Sequence, residues 1–211
     1  MAHEYHDTRF TFDLRRDVLW KTLCEGYFQS LVRPTDCVLE LGAGYAHFIN
    51  HIACQRRIAM DQWPGMQKYL QPGVEMVVSS VTDLSAIANG SVDFAFASNL
   101  FEHLSQDQLA LCLAQLREKL KPGGTLNILQ PNYRLAPAEY FDDYTHVAIW
   151  SDRSLPDFLG ANHFRVTECV PGFLPFSIKG RLPVFPPLIR LYLKLPFKPL
   201  AKQMWIRAVP L

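Results

Sequence analysis

The stretch Val38-Leu39-Glu40-Leu41-Gly42-Ala43-Gly44-Tyr45-Ala46 constrains this chain more than any other. An apolar run able to form a buried strand ends in a glycine-rich turn, and the apolar stretch Phe48 to Ala53 is expected to continue as a helix. Gly42 and Gly44 permit positive φ and let backbone N–H groups come close to a ligand, which side chains would prevent. A strand-turn-helix of this kind suits phosphates or nucleosides. A dinucleotide fingerprint needs a further glycine at position 47 for close helix-to-strand packing, and His47 stands there, which counts against NAD and FAD. Glu40 lies at the strand's carboxyl end, where a carboxylate meets a ligand's ammonium group and would repel a pyrophosphate.

Elsewhere the pattern is that of an α/β domain. Leu14, Val18, Leu19, Leu23, Tyr27 and Leu31 recur near a period of 3.6, predicting an amphipathic helix over 13–31 that Pro34 ends. Ile58 to Asp61 reads as a second strand. Its terminal Asp61 follows Gly44 by seventeen positions, close to the roughly 20 that put an acid on a ribose. Val74 to Ser79 is a third strand, Ser91 to Ala97 a fourth and Thr125 to Leu129 a fifth. Ser105 to Gln108 is a capping box ahead of Leu109, Leu113, Leu116 and Leu120, and Pro122-Gly123-Gly124 is expected to stop that helix. Ser154 to Leu159 reads as a short helix, with final strands at 164–170 and 203–209.

With 211 residues and 49% hydrophobic content, one domain with a sizeable core is expected. Cysteines at 24, 37, 54, 112 and 169 form no Cys-x-x-Cys pair, and no His stands at metal-ligand spacing. The thiols are therefore expected to be reduced, and no metal is expected. The start, Met-Ala-His-Glu-Tyr-His-Asp, has no basic apolar signal region, so a cytoplasmic location is expected.

Glu-x-Gly-x-Gly-x-Ala at 40–46 resembles motif I of class I S-adenosylmethionine (SAM) dependent methyltransferases of the type 11-like group, with Ala46 in place of the usual third glycine. Ser98-Asn99-Leu100-Phe101-Glu102-His103-Leu104 is similar to the motif after that family's fourth strand, and Leu-Lys-Pro-Gly-Gly-x-Leu at 120–126 to its later pattern. The resemblance implies a Rossmann-like, doubly wound, mostly parallel α/β sheet in the order 3-2-1-4-5-7-6 with helices on both faces. It also implies SAM as cofactor and S-adenosylhomocysteine (SAH) as product. The cofactor candidates are Glu40 near the methionine amino group, the turn Gly42, Ala43 and Gly44, and Asp61 on the ribose. Ser80, Val81, Thr82 and Asp83 stand by the adenine, where the family's usual Asp is replaced by Ser80, and Ser98, Asn99 and Leu100 follow the fourth strand. An N-terminal helical cap over about residues 1–33 would bring Arg9, Phe12 and Tyr27 toward the substrate, against ordinary helix packing.

Residues 131–153 crowd polar, titratable and aromatic groups into an insertion, which places the acceptor there. If the acceptor is a hydroxyl, His146 leads as base, followed by His103 and Asp143. The last third of the chain is similar to bacterial methyltransferases of sugar, polysaccharide or secondary-metabolite pathways, which implies a small-molecule or sugar acceptor and no nucleic acid. After Glu168 the chain has seven basic residues and no acid. The insertion 172–202 is broken by prolines and rich in apolar residues. It is expected to be a lid with its charges outward, ahead of contact with an anionic membrane. A SAM-binding subunit without catalysis and an NAD-linked oxidoreductase are the rival readings.

Overall fold

The computed structural model describes residues 12–175 and 184–211; Arg9, Lys179 and Arg181 lie outside the described residues. Seven strands, β1 (Cys37–Leu41), β2 (Arg56–Asp61), β3 (Val74–Val78), β4 (Val92–Ser98), β5 (Leu120–Pro131), β6 (Phe164–Pro175) and β7 (Ala201–Pro210), form one sheet. Its order is β3-β2-β1-β4-β5-β7-β6, the one the resemblance implied. Helices α1 (Leu14–Gly26), α2 (Gln106–Lys119), α3 (Ser154–Ala161) and α4 (Pro186–Lys194) flank it. The chain divides into two compact units, described residues 12–81 with 184–196, and 82–175 with 197–211. Among the described residues, no helix is long and apolar enough to cross a membrane.

In the first unit β1, β2 and β3 run parallel, with Leu39 opposite Ile58 and Asp61 opposite Val78. All five residues of β1 are buried, as a parallel strand requires, whereas β3 is half exposed. Asp13 caps α1 by accepting from the Arg15 N–H at 2.8 Å. The helix ends at Gly26, short of the expected span, and a 3₁₀ turn follows over Phe28–Leu31. The expected apolar stripe is also only partly right: Leu14 and Val18 are exposed, while Thr22, Leu23 and Cys24 are buried with Phe28. Trp20 explains the shift, because its ring packs on Phe28 and Phe48 and turns that face inward.

Helix α4 begins with Pro186-Pro187, where missing N–H groups cost nothing, and packs against α1. Arg190 reaches Glu25 at 2.8 Å. No residue of α4 is buried, and Phe185, Leu188, Leu191 and Phe197 are exposed.

In the second unit β4 and β5 pair parallel, and β5, β7 and β6 pair antiparallel. The capping box of α2 is present, Ser105 Oγ accepting from Gln108 N–H and Gln108 Oε1 from Ser105 N–H. Leu109, Leu113 and Leu116 are fully buried, each contributing about 1.5–3 kcal/mol. The helix stops at Lys119, so Pro122-Gly123-Gly124 falls inside β5 rather than ending α2. The register shift between Val92 and Phe94 absorbs that glycine turn, with Gly123 at φ 81°.

Candidate active site

The turn after β1 is held by left-handed backbone at Gly42, Gly44 and Ala46, with φ of 66°, 53° and 57°. Two of its N–H groups are spent on β2: Ala43 donates to the Met60 carbonyl at 3.0 Å and Gly44 to Asp61 Oδ2 at 2.8 Å. Asp61 Oδ1 accepts the Trp63 N–H at 2.8 Å, so one carboxylate fixes both its own turn and the glycine turn. The expected helix at 48–53 is instead a run of irregular turns. The Ile49 N–H, which a regular helix would return to residue 45, goes to Glu40 Oε2 at 3.0 Å. Burial pushes the Glu40 carboxyl well above the usual range, the Ile49 N–H opposing this and the nearby Asp61 charge adding to it.

An aromatic group surrounds this turn. Tyr45 lies edge-on to Trp63 at 5.2 Å and to Tyr69 at 4.7 Å, and Phe12 stacks on Tyr69 at 5.2 Å and on His47 at 5.6 Å. Of the N-terminal candidates, Phe12 joins this group, while Tyr27 packs on Phe28. Trp63 was missed by the sequence reading; an aromatic two places beyond an acidic strand end was the available signal. His47 is buried, its Nδ1 3.6 Å from Asp17 of α1, and burial lowers its pKa. Ser80 is exposed and Val81 buried.

In the second unit the side chain of Gln115, on α2, clamps the segment after β3. Its amide N donates to the Thr82 carbonyl at 2.5 Å and its oxygen accepts the Leu84 N–H at 2.9 Å. Asp83 is exposed and accepts the Ser85 N–H at 3.0 Å, and hydrogen bonds from the Ser85 side chain and then its N–H lower the Asp83 pKa.

At the end of β4, Asn99 takes φ 48°, a value its short amide side chain tolerates, donates its N–H to the Leu129 carbonyl and accepts at Oδ1 from Gln203. The chain then makes the 3₁₀ turn Phe101–His103. The insertion docks on that turn: Val147 and Ala148 donate N–H to the Glu102 carbonyl at 2.9 and 3.2 Å, and the Trp150 indole donates to the Phe101 carbonyl at 3.1 Å. The buried Tyr140 hydroxyl donates to the Ala148 carbonyl and accepts the Trp150 N–H.

This docking brings all three base candidates together. The rings of His103 and His146 lie 4.8 Å apart. His103 Nδ1 is 2.9 Å from Thr145 Oγ1, which donates in turn to Asp143 Oδ1 at 2.6 Å. His146 Nδ1 donates to the Tyr140 carbonyl at 2.5 Å. Burial, and after it the neighbouring His146, lower the His103 pKa to about 4. Burial raises the Asp143 pKa, but hydrogen bonds from Thr145 outweigh it and leave the net shift downward. Glu102, part of the 98–104 motif and not among the residues expected in the site, is fully buried beside them, and burial raises its pKa to about 8. His146 Nε2 lies 4.0 Å from Glu102 Oε1.

The donor set of the first unit fits SAM: a buried carboxylate for an ammonium group, a left-handed turn without bulk, and a second carboxylate for hydroxyls. The strand order is that of the Rossmann-like methyltransferase fold, and the matches support SAM-dependent methyl transfer with SAM as cofactor. The family described as "Methyltransferase domain" matches residues 39–128. The chain is similar in structure to a SAM-dependent methyltransferase from Archaeoglobus fulgidus, at 20% identity and TM-score 0.65, covering 98% of each chain. It is also similar to a putative Haloferax volcanii methyltransferase solved in complex with the Trm112 activator, at 17% identity and TM-score 0.69, covering 94% of each. A third similar structure is geranyl diphosphate C-methyltransferase from Streptomyces coelicolor A3(2) with Mg²⁺, geranyl diphosphate and SAH. There the identity is 12%, the TM-score 0.64, and the match covers 92% of this chain and 77% of the other. Among curated protein sequences none matches the chain.

Proposed function

We propose that the chain methylates a small-molecule or sugar acceptor, and that the cofactor is held by Glu40, the Gly42-Ala43-Gly44 turn and Asp61. The observation that carries this is the buried Glu40 carboxylate beside a left-handed glycine turn. An apolar setting disfavours its charge until a cation arrives, which is the chemistry of an ammonium-binding group. SAM, when bound, supplies an electrophilic methyl group on a sulfonium that is already a good leaving group. Glu40 accepts from the methionine ammonium, and Asp61, already ordered by Gly44 and Trp63, accepts from the ribose hydroxyls. Ser80, Val81, Thr82 and Asp83 would hold the adenine, and Ser98, Asn99 and Leu100 would be the remaining cofactor contacts.

The insertion supplies the acceptor side. With the Nδ1 proton held by the Tyr140 carbonyl, the neutral His146 ring is unprotonated at Nε2 and takes a proton from an acceptor hydroxyl there. His103 is the second candidate, weakened as a base by its low pKa. Asp143 orients His103 through Thr145 rather than reacting itself. Its crowded, part-buried setting supports a small acceptor over a nucleic acid, and the five free cysteines support a reducing compartment such as the cytoplasm.

Calorimetry with SAM, SAH and NAD tests the cofactor side; binding of NAD in preference to SAM would overturn it. Methyl-labelled SAM incubated with sugars and other small hydroxyl compounds, or with RNA and protein, tests the acceptor. Label entering RNA or protein alone would reject the small-molecule reading.

A further inference from the structure

We propose that Glu102, His103 and His146 bind a divalent first-row cation of the zinc or cobalt kind. Their ligand atoms all lie within 4.8 Å of one another, and the group draws on two distant segments, the turn after β4 and the docked insertion. Bonds of about 2.0–2.2 Å at the tetrahedral angle put ligand atoms roughly 3.3–3.6 Å apart, so the three close on an ion by side-chain movements of about 1 Å.

Three observations point to a ligand rather than to packing. First, Glu102 is 0% exposed, and neither carboxylate oxygen has a hydrogen-bond partner among the described residues. Its distance of 4.0 Å to His146 Nε2 is too long for a hydrogen bond, so no other described residue satisfies this group.

Second, a contact at Nδ1 fixes the tautomer of both imidazoles. His146 gives its Nδ1 proton to the Tyr140 carbonyl. Thr145 Oγ1 spends its own proton on Asp143 and can only accept from His103 Nδ1. The unprotonated nitrogen of each neutral ring is then Nε2. A carbonyl behind one ring and a hydroxyl–carboxylate relay behind the other are the outer contacts by which metal-binding histidines are oriented.

Third, one carboxylate and two neutral imidazoles give a single negative charge, suited to an ion of charge +2. Imidazole donors favour zinc and its analogue cobalt over calcium, magnesium and manganese. Three protein ligands leave a position open to solvent or to a ligand oxygen. This binding stands without the methyl-transfer reading, and with the cation bound His146 is no longer available as a base.

The test is a titration of the chelator-treated full chain with Co²⁺, followed by visible d–d absorption, with Zn²⁺ calorimetry in parallel. One equivalent bound in the micromolar range or tighter is expected. Glu102→Gln and His146→Gln should each weaken Co²⁺ by at least about tenfold, and Thr145→Val, which keeps all three donors, by about tenfold. Circular dichroism reports folding, and where Glu102→Gln does not fold the other two variants decide. No stoichiometric binding by the unmodified chain, or equal binding by the folded variants, would overturn the site.

Discussion

The Gly44 N–H donates to Asp61 Oδ2 at 2.8 Å, so the residue proposed to hold the ribose also holds the glycine turn open in the protein alone. Asp61 Oδ1 does the same for Trp63. Asp61→Ala should therefore lower stability as well as SAM affinity, because a buried and a part-buried N–H lose an acceptor worth about 1.5–3 kcal/mol. Asp61→Asn keeps the shape but turns a donor toward an N–H, and should fall between. Urea unfolding of the cofactor-free protein checks the first effect. An Asp61→Ala variant as stable as the parent would show that the turn does not depend on the carboxylate.

Glu40 sets stability against binding. Its folded pKa is raised above the unfolded value by burial, so the folded state holds the proton more tightly. That contribution is complete below the unfolded pKa and is lost as pH rises toward the folded one. Glu40→Gln removes the titration while keeping an oxygen for the Ile49 N–H. The cofactor-free variant should gain in melting temperature over the parent, by a margin that widens as pH rises above the unfolded carboxyl's pKa of about 4.3. Its SAM affinity should fall at least about tenfold through loss of a charge-assisted bond. A margin that narrows with pH would mean that Glu40 is ionised in the free protein.

How far these features were legible in the sequence depended on whether the signal was local. The order of the strands followed from a resemblance carried by residues 40–46 and 98–104, and the capping box at Ser105 needed only four residues to read. The stripe of α1 was misread because Leu14 and Val18 fit the period, while Trp20 and Thr22, which turn the helix inward, carry weak apolar weight. The missing helix after the glycine turn had no local signal either: a side-chain oxygen nine positions earlier captures Ile49. Glu102 and His146 are far apart along the chain, so no ligand spacing exists to be read. They meet because the backbone of Val147 and Ala148 docks on the Glu102 carbonyl.

Helix α4 is attached by a contact that looks stronger than it should prove. Arg190 meets Glu25 at 2.8 Å, but the two side chains are 51% and 46% exposed. An exposed pair of this kind contributes less than about 1 kcal/mol, because solvent screens the charges and ordering both side chains costs entropy. Arg190→Ala should shift the urea midpoint little, and the small shift should vanish in high salt. A loss above about 2 kcal/mol would show that the pair does more than an exposed contact can.

Tyr140 should prove far more sensitive, through a single oxygen. Its hydroxyl donates to the Ala148 carbonyl at 2.9 Å and accepts the Trp150 N–H at 3.1 Å, so it bridges two backbone groups of the docked insertion. Burial raises the phenol pKa, which keeps it a neutral donor throughout the working range. Tyr140→Phe preserves the ring contacts with Tyr133 and His146 and leaves the main-chain carbonyl that holds His146 Nδ1 in place. What it removes is the partner of a buried N–H and a buried carbonyl, a loss of about 1–3 kcal/mol. Native-state hydrogen exchange should show the Trp150 amide opening faster by about 10- to 100-fold, in line with that energy. Residues of the first unit should keep their protection, and SAH affinity should stay within about twofold of the parent, since Glu40 and Asp61 are untouched. Unchanged exchange at Trp150 would mean that the insertion is held by Glu102 and Phe101 alone.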